Sequence, residues 1–161
     1  MNIFSFPAIE NTDSKILILG TMPGKISLQK NEYYANPQNA FWKIIFSLFA
    51  IDYQSNYETK KQVVIQNKIA LWDTLKFCHR EGSLDSKIMN EYPNDFLNFF
   101  EFHSKISTIV FNGKPAQHFY KRHIGFSNRF NYISLPSTSP ANARMSFEKK
   151  LELWKIILEY L

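Results

Sequence analysis

Four short apolar runs, each leading into a Gly, a Pro or a polar residue and separated by stretches of helical spacing, constrain this chain more than any other feature. They are Lys15 to Gly20 (KILILG), Lys68 to Asp73 (KIALWD), Ile106 to Asn112 (ISTIVFN) and Asn131 to Leu135 (NYISL). Runs of this length without polar alternation read as strands buried on both faces, the signature of a parallel sheet covered by helices. The intervening segments supply the helices. Asn39 to Ala50 sets Phe41, Ile44, Ile45, Leu48 and Phe49 on one face, and Glu58 to Asn67 reads as a polar surface helix. Pro93 to Ser104 opens on a proline and packs through Phe96, Leu97, Phe99 and Phe100. Gly113 to His123 is a short helix, and Ser146 to Leu161 is an amphipathic one, capped by Ser146 with Leu151, Trp154, Ile157, Leu158 and Leu161 inward. The alternation predicts an α/β fold of three α/β/α layers around a central four-stranded parallel sheet, formed by a single domain over residues 1–161.

In such sheets ligands bind in the crevice beyond the carboxyl ends of the strands. The unusual residues of this chain fall there. Gly20-Thr21-Met22-Pro23-Gly24 follows the first run and makes a tight turn able to approach a phosphate or a base edge. It is neither a GxxxxGK[ST] nor a GxGxxG loop. Tyr33 to Trp42 (YYANPQNAFW) crowds aromatic rings that could stack on a base with amides that could read its edge. Within it Asn39 reads equally as a helix cap, while Phe41 and Trp42 fit the core. Asp73 ends the second run, either facing the cleft or capping a following helix. Asp85, in GSLD, reads as a structural cap. Leu135 to Arg144 (LPSTSPANAR) is a proline-stiffened hydroxyl loop leading to a helix N-terminus, suited to phosphate.

Composition narrows the chemistry. The single cysteine, Cys78, cannot form an internal disulfide, and His79, His103, His118 and His123 lack metal-ligand spacing, so no metal and no cofactor is expected. The excess of 19 Lys and Arg over 14 Asp and Glu suits a polyanionic partner. Met1 to Asn11 lacks the pattern of a signal peptide and no run approaches a membrane span, so the expectation is a cytoplasmic protein with no membrane partner.

Taken together, GTMPG, Ser27-Leu28, YYANPQNAFW, the Leu71 to Asp85 stretch, FNGKPA and LPSTSPAN resemble the uracil-DNA glycosylase superfamily, and within it the branch acting on deoxyinosine. The resemblance runs from about Leu17 to Trp154. It implies a metal-free enzyme that flips a deaminated nucleotide from DNA, hydrolyses the N-glycosyl bond and leaves an abasic site. It further implies that Asn39 and Asn112 carry the polar catalytic work. Thr21 and Met22 stand where many superfamily members place Asp or Asn, and neither can act as a general base. Around the base the expected set is Thr21, Met22, Tyr34, Phe41 and Asp73. Ser137, Thr138 and Ser139 would grip phosphates, and the loop carrying Asn142, Arg144 and Met145 would enter the duplex. No lysine is placed for Schiff-base chemistry, with Lys114 the one to examine. The expected partner is DNA containing deoxyinosine or another deaminated base, bound by a monomer. The rival readings are a uracil-releasing glycosylase, a non-catalytic nucleic-acid-binding module, and a small-molecule enzyme of flavodoxin-like shape.

Overall fold

The computed structural model describes every residue from Met1 to Leu161. The four apolar runs become strands β2 (Ile16–Gly20), β3 (Ile69–Asp73), β6 (Thr108–Asn112) and β7 (Asn131–Leu135), which form one parallel sheet in the order β3-β2-β6-β7. Side chains alternate across a strand, and β2 divides accordingly. Ile16 and Ile18 join Ile69, Leu71 and Val110 in a core closed by α2 (Phe41–Leu48), α3 (Tyr57–Gln66) and α6 (Phe147–Trp154). Leu17 and Leu19 join Ala70, Ile109 and Phe111 on the opposite face, under α4 (Phe96–Phe102) and α5 (Lys114–His123). The expected three layers around a four-stranded parallel sheet are therefore present.

A second sheet was not foreseen. Strands β1 (Asn2–Phe4), β4 (Leu75–His79) and β5 (Met89–Pro93) pair antiparallel in the order β1-β4-β5. Their short runs mix buried with exposed positions and carry register irregularities, so no clean period marks them. A short helix α1 (Lys25–Lys30), following the first turn, also lacked a signal.

Three helix expectations are corrected. Pro93 closes the edge strand β5 instead of opening a helix, which suits a residue with no N–H to give a ladder. The helix begins after Asp95, whose carboxylate accepts from the Asn98 N–H at 3.1 Å, and Leu97 points to solvent at 80% exposure. At the other end Ser146 caps α6 as expected, accepting from the Lys149 N–H at 3.2 Å. Beyond Trp154, however, the chain tightens into a 3-10 turn over Lys155–Tyr160. With three residues per turn, Ile157 stays beneath Trp154 while Leu158 rotates out. No helix is long and apolar enough to cross a membrane, and no group of three or more His, Cys, Asp or Glu side chains is placed to hold a metal ion.

Candidate active site

The chain leaves β2 for β3 on one side, then crosses to β6 on the other, so its direction of growth reverses between β2 and β6. A crevice opens beyond the carboxyl ends of strands at such a point. A cavity of about 420 Å³ lies there, within the ~300–1,000 Å³ range of small-molecule sites. Its walls bring together Gly20 to Gly24 from the first turn, Tyr34, Asn36 and Asn39 from the aromatic segment, and Asp73 and Asn112 from the ends of β3 and β6. Ser137 to Ala141, after β7, close it.

Asn112 stitches two of these segments together. Its side-chain oxygen accepts from the Thr138 N–H at 2.9 Å, and its amide donates to the Thr138 hydroxyl at 2.9 Å. The Thr138 carbonyl in turn accepts from the Ala40 N–H at 3.0 Å, tying the last loop to the start of α2. Gly113 makes this closure possible. Its φ of 95° favours glycine, and a Cβ there would stand 3.0 Å from the Ser137 Cβ.

Asn39 makes the expected cap bond and also lies on the cavity wall. The side-chain oxygen accepts from the Phe41 N–H at 2.9 Å, capping the start of α2. That bond orients the carboxamide and leaves its N–H₂ group to the cavity, which Asn39 lines. Tyr34, at a φ of 53°, also lines the cavity, and Phe41 stacks on its ring with centroids 4.0 Å apart. Phe41 itself is fully buried and absent from the wall. Its expected contact with a base is therefore corrected to support of Tyr34. Met22 reaches the wall, but its side chain is packed with Ile3, Leu75, Cys78 and Phe119. Thr21 is buried at the wall.

Asp73 is the most heavily constrained group. No helix follows it, since β4 begins at Leu75, so the capping alternative falls away. Its carbonyl accepts from Asn94 Nδ2 at 2.7 Å, and the next two N–H groups donate to Gly20 and Thr21 carbonyls at 2.8 and 3.2 Å. The backbone being held on both sides, the carboxyl is fixed over Gly20. A Cβ on Gly20 would lie 2.6 Å from Asp73 Oδ1 and 3.1 Å from the Tyr34 hydroxyl. Asp73 is 4% exposed, and its Oδ2 is buried without a hydrogen-bond partner. Burial pushes its carboxyl up to about 7, the negative charge of Asp85 adds to the shift, and Arg80 opposes it.

Two charged neighbours of the cavity escaped the sequence reading. Asp85, expected as a cap, sits inside the short 3-10 turn Asp85–Lys87, which Leu84 precedes as cap residue, and it lines the cavity. Burial raises its carboxyl, with Thr21 and Arg80 opposing. Arg80 is 1% exposed, donates to the Pro23 and Gly82 carbonyls, and places Nη1 3.8 Å from Asp85 Oδ1. A buried arginine following a strand carried no pattern by which its partner, five residues on, could be read.

The hydroxyl loop is folded on itself. Ser137 Oγ accepts from the Ser139 N–H at 3.1 Å and Ser139 Oγ from the Ala141 N–H at 3.2 Å, leaving both hydroxyl protons to donate. Asn142 donates to the Ser137 carbonyl at 3.1 Å. Arg144 is exposed and Met145 half-buried, both outside the cavity wall. Lys114, at the first turn of α5, is exposed and also absent from the wall, so the cavity holds no lysine at Asn112.

The chain has known relatives. The profile of the uracil DNA glycosylase superfamily matches residues 7–161, nearly the whole chain. The chain belongs to the uracil DNA glycosylase superfamily. Among relatives of this superfamily member, a protein of Methanosarcina acetivorans named hypoxanthine DNA glycosylase is 37% identical over 158 residues, covering 96% of this chain and 97% of the relative. A protein of the same name from Methanosarcina barkeri is 35% identical over 148 residues, covering 90% and 91%. The solution NMR structure of a Methanosarcina acetivorans protein, provisionally described as a uracil DNA glycosylase, matches with a TM-score of 0.80 at 35% identity. It covers 98% of this chain and 99% of that one. The chain is thus a DNA glycosylase, a hydrolase of N-glycosyl bonds, and its substrate is DNA.

Proposed function

We propose that this glycosylase removes hypoxanthine from DNA containing deoxyinosine, as a monomer whose 161 residues act as one catalytic domain. One observation carries the reading. The segments that resemble the deoxyinosine branch converge on one cavity at the reversal point of the sheet, although they lie far apart in sequence. The names of the two Methanosarcina relatives support the same base. In this reading the damaged nucleotide is flipped into the cavity, where unpairing is least costly for a lesion. As the C1′–N bond breaks, positive charge grows on the sugar and negative charge on the base. Tyr34, backed by Phe41, offers a stacking face. The Asn39 amide, oriented by its cap bond, holds the attacking water or contacts the base. Asn112 sets the rigid end of β6 and of the Thr138 loop against the base. Ser137, Thr138 and Ser139 face the flanking phosphates, and the loop through Asn142, Arg144 and Met145 fills the gap left in the duplex. The one lysine on the wall, Lys25, is exposed at the rim, so in this reading water is the nucleophile and an abasic site the product.

The test is release of base from labelled duplexes carrying one hypoxanthine or one uracil, read as alkali-labile sites, with Asn39→Ala and Asn112→Ala in parallel. Hypoxanthine release that falls ~10²–10³-fold in each variant is expected, the usual cost of removing one preorganised polar group. Release of uracil in preference would transfer the chain to the uracil-acting branch. Binding without release from either duplex would leave a nucleic-acid-binding module and refute the catalytic assignment.

A further inference from the structure

The proposed work of Asn39 and Asn112 leaves Asp73, which also lines the cavity, without a role. Asp73 presents a buried oxygen, Oδ2, that no protein group satisfies, at the end of a strand whose neighbours fix its direction. A buried polar atom without a partner is costly, and a fold retains one where something else is to meet it. Gly20, having no Cβ, lets the Asp73 carboxyl and the Tyr34 hydroxyl pack close against the turn, and both residues line the cavity. The charged and titratable groups around Asp73 are few. Tyr33 and Tyr34 face it from the aromatic segment, Asp85 from the short 3-10 turn and Arg80 from the end of β4, and Lys25 stands exposed at the rim. Both tyrosines are neutral at physiological pH, because burial and the Asp73 charge raise them. Arg80, the buried cation among these groups, spends its Nε and Nη2 on backbone carbonyls.

A deaminated base carries an oxo group where the intact base carried an amine. Negative charge gathers on that oxygen as the glycosidic bond breaks. An ionised carboxylate there would set acceptor against acceptor and charge against charge, whereas a neutral carboxyl would supply a donor. We propose that Asp73 enters the reaction as a neutral carboxylic acid, donating a hydrogen bond to the oxo group of the departing base, and that the neighbouring Arg80–Asp85 pair sets the pH at which this donor is lost. The inference rests on the glycosylase reading above and deepens it. Burial and Asp85 hold the Asp73 proton on up to about pH 7, while Arg80 loosens it. Only the protonated form is productive, so the rate falls as pH rises through neutrality, tenfold per pH unit once the proton is gone.

Single-turnover release from the hypoxanthine duplex between pH 5.5 and 9 tests this, with wild type, Asp73→Asn, Asp73→Ala and Asp85→Asn compared and folding of each checked by circular dichroism. The wild-type rate is expected to fall on the alkaline side. Asp73→Asn keeps a donor at every pH, so its profile is flat and lies within about tenfold of the wild-type acid plateau. Asp73→Ala loses ~10²–10³-fold. Asp85→Asn removes the negative neighbour, so the alkaline limb moves to lower pH. A wild-type rate that is flat or rises through neutrality, or an Asp73→Asn profile that keeps the limb, overturns the proposal while leaving the glycosylase reading intact. Release of neither hypoxanthine nor uracil by wild type at any pH overturns both. Should Asp73→Ala fail to fold, the isosteric Asp73→Asn profile decides alone.

Discussion

Replacing Asp73 by Asn should make the folded protein more stable at pH 8 than wild type, and the gain should vanish towards acid. An exposed aspartate ionises near its ordinary value of 3.8, whereas Asp73 in the fold holds its proton to about 7. Between those limits the folded chain binds a proton that the unfolded chain has released, so stability falls as pH rises and levels off above the folded value. A gap of about 3 pH units at 1.36 kcal/mol each amounts to roughly 4 kcal/mol of lost stability at pH 8. Of this, about 2–3 kcal/mol is lost between pH 5 and pH 8. Asparagine has the same shape and no charge to desolvate. It leaves an amide hydrogen to satisfy, but that cost is the same at every pH and cancels when the two pH values are compared. Urea unfolding of both proteins at pH 5 and pH 8 measures the difference directly. Wild type should lose more stability than Asp73→Asn over this interval by about 2–3 kcal/mol. Equal pH dependence in the two proteins would refute the argument, since it would mean that Asp73 ionises in the fold as it does in water. Confirmation would identify a group retained at the expense of stability, which is the pattern expected of a functional site.

Gly20→Ala puts a methyl group 2.6 Å from Asp73 Oδ1 and 3.1 Å from the Tyr34 hydroxyl, and is expected to cost ~1–3 kcal/mol in urea unfolding and to lower base release by at least about tenfold, as misplaced catalytic groups do. Wild-type values in both assays would show that the turn has room to spare. Arg144→Ala removes an exposed charge and should leave stability within ~0.5 kcal/mol. It should also weaken duplex binding and reduce the slope of log affinity against log salt by about 1. An unchanged slope from titrations at several salt concentrations would place Arg144 off the DNA.

The four core strands could be read from sequence because burial on both faces removes polar residues from a strand, and runs such as KILILG then leave no rival assignment. Their residues reappear as strands to within one or two positions. The small antiparallel sheet could not be read this way. In β4 only Leu75 and Cys78 are buried, and β1 has three residues, so neither carries a period. The candidate site was legible to the extent that ligand-facing segments must follow strands. Tyr34, Asn39, Asp73, Asn112 and Ser137 to Ser139 all reach one cavity. Phe41 did not, because the left-handed backbone at Tyr34 turns the first ring to the cavity and leaves the second to back it from the core. Asp85 was misread because a carboxylate at the start of a short turn looks like a cap even when it is the first residue inside the turn and lines a cavity.

What the sequence determined by itself was the layered fold, the end of the sheet where chemistry gathers, and the glycosylase family. The first two follow from local patterns, namely apolar runs and the turns that close them, and the third from the resemblance of the motif segments to a known family. What only the tertiary structure decided was how those residues share the work. The partnership of Asn112 with Thr138, the support of Tyr34 by Phe41, and the placing of Asp73 beside Arg80 and Asp85 depend on strand order and on the reach of side chains across it. The raised carboxyl of Asp73 is the clearest case. An aspartate at the end of an apolar strand has the same local sequence whether water reaches it or not, and only the packing of Gly20, Tyr34 and Asp85 around it decides that its charge is costly.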